Sequence, residues 1–130
     1  MNKLPVELVS PVNQHILRNI ADQSAHSDIV QPLKEAALHL PGVRFYTPDG
    51  RSFRYLIVYS EGIIFALADG MQGPTLRLSP HLAAEQISSG AVPRPEYGAE
   101  WVMLPLFQGL RFPLLALVRA AYERVASSAG

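Results

Sequence analysis

The sequence predicts a two-layer α+β domain, in which helices cover one side of an antiparallel sheet of four to five strands. Apolar residues at helical spacing occur both before and after a central block of β-branched and aromatic residues. That block, Ser52 to Ala68, has the composition of two strands joined at Ser60-Glu61-Gly62. Consecutive strands with helices on either side along the chain are typical of the α+β class.

Composition limits the classes of function. The chain has 130 residues, enough for one domain, and 48% are hydrophobic while 17% are charged. Eleven basic residues balance eleven acidic ones, so the overall field attracts neither nucleic acid nor an acidic membrane. The absence of cysteine excludes disulfides, thiolate metal sites and a cysteine nucleophile. The first residues lack the apolar run of a signal peptide, and we expect a cytoplasmic protein without a membrane partner.

The first part of the chain is predicted to be helical. Residues 1–9 form an arm, and Ser10-Pro11 gives the cap and first-position proline of a helix that ends near Ala21. A second helix starts from a cap at Ser27 or Asp28 and stops at Pro41-Gly42. We therefore predict an N-terminal arm and helix over residues 1–27 and a main domain over residues 28–127.

The central hairpin is predicted to be apolar on both faces. A short strand over Val43–Thr47 and the turn residues Pro48 to Gly50 lead into it. A three-residue loop would place Tyr59 opposite Ile63, which gives one face with Phe53, Tyr55, Ile57, Tyr59, Ile63, Phe65 and Leu67. The other face then carries Arg54, Leu56, Val58, Ile64, Ala66 and Ala68. Strands that are apolar on both sides are usually covered on both.

The second half of the chain adds two strands and two helices. A strand over Thr75–Leu78 precedes a helix that Ser79-Pro80 begins and Gly90 ends. Residues 91–100 are predicted to be an extended loop. A last strand runs over Trp101–Leu106, with Pro105 at an edge or at an early end, and the final helix starts at Pro113.

These elements carry a series of short motifs in a recognisable order: Leu40-Pro41-Gly42, Gly62 to Ala68, Leu76-Arg77-Leu78, Gly90, Glu100-Trp101-Val102 and Ala121 to Arg124. From about Ile29 to Val125, the series resembles the MmcQ/YjbR-like proteins and the related N-terminal domain of TfoX-type proteins. The resemblance implies a compact sheet with helices on one side, a topology shared with type III secretion chaperones. The resemblance also implies DNA binding. The strand motifs of the family commonly carry a lysine where this chain has Ile63 or Arg77, so the basic character that DNA binding needs is weaker here. No functional residue is transferred.

No pattern of residues indicates catalysis, a metal or a cofactor. The four histidines His15, His26, His39 and His81 lack a second ligand three or four residues away. There is no Gly-x-Ser-x-Gly motif, and Asp69 to Gly73 lacks the lysine and hydroxyl residue of a phosphate-binding loop. Glu96 and Glu100 lie in a loop rich in proline and glycine, where a spacing of four residues does not bring two carboxylates together for acid–base catalysis. We expect a protein that is not an enzyme.

The hypothesis that follows is a non-catalytic binding or adaptor domain that acts through protein contacts. If the helices cover one sheet face, the other is left for the N-terminal helix or for a second chain, so a homodimer is one expectation. The predicted contact residues are Leu56, Val58, Ile64 and Ala66 on that face and Tyr97 on the loop.

A nucleic-acid-binding module is the alternative hypothesis. Arg44, Arg51 and Arg54 are the one local concentration of basic residues, with Tyr46, Phe53 and Tyr55 between them. The competing interpretation is that these aromatic side chains, like Trp101, belong to the core and that the arginines are solvated strand ends. An enzyme or a carrier of a small ligand ranks third.

Overall fold

The computed structural model describes residues 2–49, 54–106 and 112–129 and confirms the α+β class. Its six strands, in the described part of the chain, form one antiparallel sheet with the order β1-β2-β3-β4-β6-β5. The prediction of four to five strands was too low because the loop after the third helix contributes an edge strand, β5. The strands are β1 Arg44–Tyr46, β2 Leu56–Ser60, β3 Ile63–Ala68, β4 Thr75–Arg77, β5 Val92–Pro93 and β6 Trp101–Met103.

Four α-helices and two 3₁₀ turns complete the described elements. Ser79 caps α3 as predicted, because its Oγ accepts a hydrogen bond from the Leu82 N–H at 3.2 Å. The cap of α2 is instead His26, whose Nδ1 accepts from the Asp28 N–H at 3.0 Å. Ser10 makes no cap hydrogen bond, so α1 begins later than predicted. The elements are the 3₁₀ turns Val6–Leu8 and Pro11–Asn13, and α1 Gln14–Ile20, α2 Ser27–Ala37, α3 Pro80–Ser88 and α4 Leu114–Ala129.

The central hairpin closes through two residues rather than three. Glu61 and Gly62 have φ values of 55° and 72°, as a type I′ turn requires, and Ser60 pairs with Ile63. The register then shifts at a β-bulge, which leaves Phe65 as the extra residue of β3. The shorter turn moves Ile63, Ile64 and Phe65 to the face opposite to the predicted one. The bulge restores the predicted faces from Ala66 onwards.

One face of the sheet, here called the helix face, is covered by helices. The inner sides of α2 and α4 supply Ile29, Leu33, Leu117, Val118 and Ala121, all buried. The sequence predicted that the face with Leu56, Val58 and Ala66 would not be covered by helices, and this prediction is wrong. The residues of this face, all apolar and buried, are Leu56, Val58, Phe65, Ala66, Ala68, Leu76 and Val102 in the strands, and Leu78 and Leu104 directly after β4 and β6.

The opposite face, here called the tyrosine face, is covered by the N-terminal segment of the same chain. Leu8 from the first 3₁₀ turn and Ile16 and Ile20 from α1 are buried against it. Of the two covers that the sequence left open, the internal one is present. The residues of this face, all buried, are Tyr46, Tyr55, Ile57, Tyr59, Ile64, Leu67, Tyr97 and Trp101.

Candidate functional site

The residues predicted to form a protein interface are inside the chain. Leu56, Val58 and Ala66 pack on the helix face, whereas Ile64 and Tyr97 belong to the tyrosine face. None of the five is more than 3% exposed. The predicted exposed interface is wrong because the helices lie on the face that was assumed free and the N-terminal segment lies on the other.

The predicted nucleic-acid residues do not come together in the described part of the chain. Arg44 pairs with Tyr59 in the sheet, and Arg54 precedes Tyr59 by five residues. Along an extended strand this is a separation of roughly 16 Å. Arg51 lies outside the described residues, as does Phe53.

The aromatic residues of that prediction are part of the core. Tyr46 and Tyr55 are 8% and 7% exposed, with ring centroids 6.3 Å apart. Trp101 is likewise buried, which confirms its interpretation as a core residue. The two described arginines have local partners: Arg54 donates to the Ala21 carbonyl at 2.8 Å, and Arg44 lies 4.0 Å from the Glu7 carboxylate. In the described part of the hairpin, Arg54 lies over the Tyr55 ring at 5.9 Å, but this ring is buried and Arg44 lies apart from it.

A different apolar surface is present on the N-terminal segment. Val6, Val9 and Val12 are 85%, 66% and 52% exposed, and Leu4 beside them is 37% exposed. Val6 and Val9 are one 3₁₀ turn apart, since the Val9 N–H donates to the Val6 carbonyl at 3.1 Å. We call these four residues the valine strip. The sequence predicts an arm over residues 1–9 and a helix that includes Val12, although the three-residue spacing of Val6, Val9 and Val12 is a signal of an apolar side.

The segment under the valine strip is held to the sheet at its start. The Asn2 N–H donates to the Pro48 carbonyl at 2.7 Å, and the Tyr46 hydroxyl donates to the Asn2 carbonyl at 3.1 Å. Further along, the Tyr59 hydroxyl donates to Glu7 Oε1 at 2.8 Å. Residues 2–7 therefore run antiparallel to β1, and the valine strip is presented from a fixed backbone.

The strongest attachment is the side chain of Asn13, which is 0% exposed. Its Nδ2 donates to the Gly62 carbonyl at 2.8 Å and to the Leu8 carbonyl at 3.0 Å. Its Oδ1 accepts from the Ile64 N–H at 3.2 Å. The side-chain amide thus makes to β3 the pair of hydrogen bonds that a neighbouring strand would make.

A second feature with chemical potential is a buried ionic cluster at the end of β3. The Asp69 side chain is 1% exposed, and Arg94 Nη2 donates to Asp69 Oδ2 at 2.7 Å. The same oxygen accepts a short hydrogen bond from the Tyr97 hydroxyl, and Thr75 Oγ1 donates to Oδ1 at 3.2 Å. Arg94 Nε reaches Glu96 Oε1 at 2.9 Å. A buried carboxylate with this many donors is fully satisfied.

The environment of the cluster fixes its protonation. Burial, followed by the hydrogen bond to Asp69 and the charge of that group, raises the pKa of Tyr97 far above its ordinary value. Burial lowers the pKa of Arg94, but its hydrogen bonds and the charge of Asp69 outweigh burial, and the net shift is upward. Tyr97 therefore donates as a neutral phenol to Asp69, beside a permanently charged Arg94.

A cleft of about 260 Å³ opens next to this cluster. In the sequence, Asp69 to Gly73 shows only that it lacks the motif of a phosphate-binding loop, and no pattern connects it with Arg94, which is distant in sequence. The cleft is lined by Asp69, Gly70, Met71, Gln72, Gly73, Arg94 and Met103.

The remaining ionic cluster joins α4 to the sheet. Arg124 Nη1 donates to Glu100 Oε2 at 2.5 Å and to the Leu78 carbonyl at 2.9 Å, and Arg77 Nε lies 3.4 Å from Glu100. The hydrogen bond from Arg124 lowers the pKa of Glu100, against the smaller effect of burial. Each carboxylate of the loop is thus committed to an arginine, Glu96 to Arg94 and Glu100 to Arg124.

Within the described residues, no three side chains of the histidine, aspartate and glutamate types are grouped so as to hold a metal ion. None of the helices in that part of the chain combines the length and the apolar character that a membrane span needs.

Comparisons with protein-family models, with curated proteins and with solved structures found no match to the chain. The resemblance to the YjbR-like proteins therefore stays a prediction.

Proposed function

We propose that the chain is a non-catalytic binding domain that acts through protein contacts, and that its contact surface is the valine strip. The partner proposed is a second copy of the same chain. The observation that carries the proposal is the 85%, 66% and 52% exposure of Val6, Val9 and Val12 on a segment fixed to the sheet. This segment is apolar on both sides, because Leu8 and Ile16 face the sheet while the valines face outward.

The size of the strip supports a weak contact. The exposed parts of its four side chains amount to roughly 300–400 Å² of apolar surface, which is the size at which a patch on a monomer is often functional. Two strips related by a two-fold axis would bury roughly 600–800 Å² in total, below the ~1,200 Å² of stable interfaces. We therefore expect reversible association at high concentration rather than a permanent dimer.

Charge favours a second copy as the partner. The formal net charge is zero, so two copies meet without long-range repulsion. Glu7 is the one charged residue between Leu4 and Val12, and its carboxylate is turned to Tyr59 and Arg44 of its own chain. Contact between two copies of residues 4–12 thus places no uncompensated like charges of these residues together.

Sedimentation velocity over about 10 µM to about 1 mM tests the proposal. We expect the wild-type chain to sediment faster as its concentration rises. The double variant Val6→Asp with Val9→Asp should stay monomeric, because two carboxylates would be placed in the contact. Both positions are on the surface, so the far-ultraviolet circular dichroism should not change.

Leu115→Asp is the matched control, since Leu115 is 67% exposed but lies on α4. It should associate as the wild type does. A wild-type chain that is monomeric throughout this range would overturn the proposal. Equal loss of association in the Leu115 variant would also overturn it, because the contact would then not be specific to the strip.

A further inference from the structure

We propose that the cleft beside the Asp69–Arg94 cluster is a binding site for a small, neutral, planar molecule that carries carbonyl acceptors. The cleft lies between the loop Gly70 to Gly73 and the side chains of Arg94 and Met103. It does not involve the valine strip. Its volume of about 260 Å³ is sufficient for a single heteroaromatic ring and is slightly below the roughly 300–1,000 Å³ of drug-sized ligand pockets.

Hydrogen-bond donors are available at the cleft. In the described part of the chain, the backbone N–H groups of Gly70, Met71, Gln72 and Gly73 donate to no other residue. Arg94 uses Nε for Glu96, Nη1 for Asp69 and Thr75, and one N–H of Nη2 for Asp69. The second N–H of Nη2 has no acceptor among the described residues. The site is therefore rich in donors, which suits a ligand with acceptor oxygens.

The walls of the cleft are suited to a flat ring. Met71 and Met103 contribute thioether side chains, which pack well against aromatic rings. The Arg94 guanidinium carbon lies 5.0 Å from the centroid of the Tyr97 ring, so the arginine is already held against one aromatic ring. Guanidinium groups stack on planar rings. The guanidinium of Arg94 is held in place by its contacts with Asp69, so a planar ligand can stack on it.

The loop is fixed in position, which keeps the cleft open at a defined width. A Cβ atom on Gly73 would lie 1.8 Å from the Leu104 carbonyl oxygen, so only glycine allows this approach of the loop to the chain after β6. The Leu104 N–H donates to the Pro74 carbonyl at 2.9 Å, and the Leu106 N–H donates to the Gln72 carbonyl at 2.9 Å. A site held in this way binds without a large ordering cost.

The charges at the cleft favour a neutral ligand over an anion. The charged groups that line the cleft are Asp69 and Arg94, which are paired with each other, so the lining carries no excess of basic charge. An anionic ligand would lose its hydration there without a free cation to bind, whereas a neutral carbonyl compound uses the donors without that cost. This distinguishes the cleft from a phosphate site, in which basic charge would exceed acidic charge.

Uracil is the probe that tests the proposal, because it is a neutral planar ring with two carbonyl oxygens. Titration of the isotope-labelled full-length chain, followed by amide nuclear magnetic resonance, should shift the signals of Gly70, Met71 and Gly73 with a Kd of about 1 mM. Orotate, which is uracil with a carboxylate, should bind at least about threefold more weakly, because its carboxylate would lose hydration beside an arginine that is already paired with Asp69.

Two variants locate the binding. Met71 is 63% exposed, so Met71→Ala should fold normally and weaken uracil binding by about three- to tenfold through the lost wall of the cleft. Ile87→Ala, at a similarly apolar exposed position that does not line the cleft, should leave the affinity unchanged. No shift in these loop signals up to about 10 mM uracil would overturn the proposal. Tighter binding of orotate, or equal affinity in Met71→Ala, would also overturn it.

Discussion

The two faces of the sheet are covered in different ways. On the helix face, side chains of α2 and α4 pack on aliphatic residues and Phe65 in a core of apolar residues, and hydrogen bonds from Tyr122 and Arg124 of α4 lie at its border. On the tyrosine face, one short helix and two 3₁₀ turns cover four tyrosines and Trp101. Tyrosine has a polar end that must find a partner when it is buried, so this cover includes hydrogen-bonding groups.

This difference indicates how each cover is stabilised. The helix face is held by many interchangeable apolar contacts, whose loss is spread over the core. The tyrosine face depends on a few specific groups, above all Asn13 and the Tyr59–Glu7 pair. We therefore expect substitutions on the helix face to lower global stability and substitutions at these anchors to release the N-terminal segment.

The largest effect is expected from Phe65→Ala. Phe65 is fully buried on the helix face and its ring makes an edge contact with Tyr122, with centroids 5.9 Å apart. Removing it should lower the free energy of unfolding by about 3–5 kcal/mol in urea denaturation, with all probes of structure shifting together. A loss below about 1 kcal/mol would mean that the helix face is loosely packed and would remove the contrast between the faces.

A smaller and more local effect is expected from Asn13→Ala. The substitution leaves the buried Ile64 N–H and the Gly62 carbonyl without their partner and removes one of the two donors to the Leu8 carbonyl, at a cost of about 2–3 kcal/mol. Native-state hydrogen exchange should show faster exchange in residues 2–20 than in β2.

Asn19→Ala is the control for Asn13, because Asn19 belongs to the same segment but is exposed. It donates to the Glu96 carbonyl at 3.0 Å, and its loss should cost less than about 1 kcal/mol. If Asn13→Ala and Asn19→Ala lower the free energy of unfolding equally, the buried amide of Asn13 is not what attaches the N-terminal segment to the sheet. Uniform protection loss across the sheet in the Asn13 variant would likewise contradict a local release.

Gly62→Ala tests the turn at which the segment meets the hairpin. Gly62 has φ of 72°, and a Cβ there would lie 2.9 Å from the Glu7 carbonyl oxygen. We expect a loss of about 1–2 kcal/mol in the free energy of unfolding, from the left-handed backbone and from displacement of Glu7. Gly70→Ala is the control, since a Cβ there meets no atom within 4 Å, and it should be near neutral. Equal values for the two would contradict the assigned turn.

The same hairpin shows what could be predicted from the sequence. Five of the six strands, the Ser79 cap of α3 and the buried Trp101 follow from local patterns, because composition and turn residues determine them. The pairing register of β2 with β3 could not be predicted from the sequence. The left-handed conformation of Glu61 gives no sequence signal, and the bulge at Phe65 depends on packing.

The covers and the cleft could not be predicted for a related reason. Strands apolar on both sides indicate two covers but do not say which element lies on which face. Asp69 and Arg94 are 25 residues apart, and only the antiparallel neighbours β4, β6 and β5 bring them together. Long-range contacts of this kind leave no periodicity in a single sequence.

The smallest effect is expected from Tyr59→Phe, which removes the 2.8 Å hydrogen bond from the Tyr59 hydroxyl to Glu7. We expect a loss of about 0.5–1.5 kcal/mol at neutral pH, because the ring and its packing are retained. The exposed fraction of the valine strip should not change, so self-association should remain. A loss above about 3 kcal/mol would show that the hydroxyl does more than hold Glu7.

The pH dependence of this variant sharpens the contrast between the faces. Burial, then the hydrogen bond and the charge of Glu7, raises the pKa of Tyr59 from 10.0 to about 12. Since the folded pKa is above the unfolded one, the neutral phenol is favoured by folding, and its contribution is complete below pH 10 and is lost as pH rises to about 12. The stability difference between wild type and Tyr59→Phe should therefore shrink across that interval. In a Glu7→Gln background the shrinkage should end at a lower pH and be smaller in total, because the carboxylate charge that raises the folded pKa of Tyr59 is gone. A difference that stays constant up to pH 12, or that grows, would mean that Tyr59 does not donate to Glu7 in the folded chain.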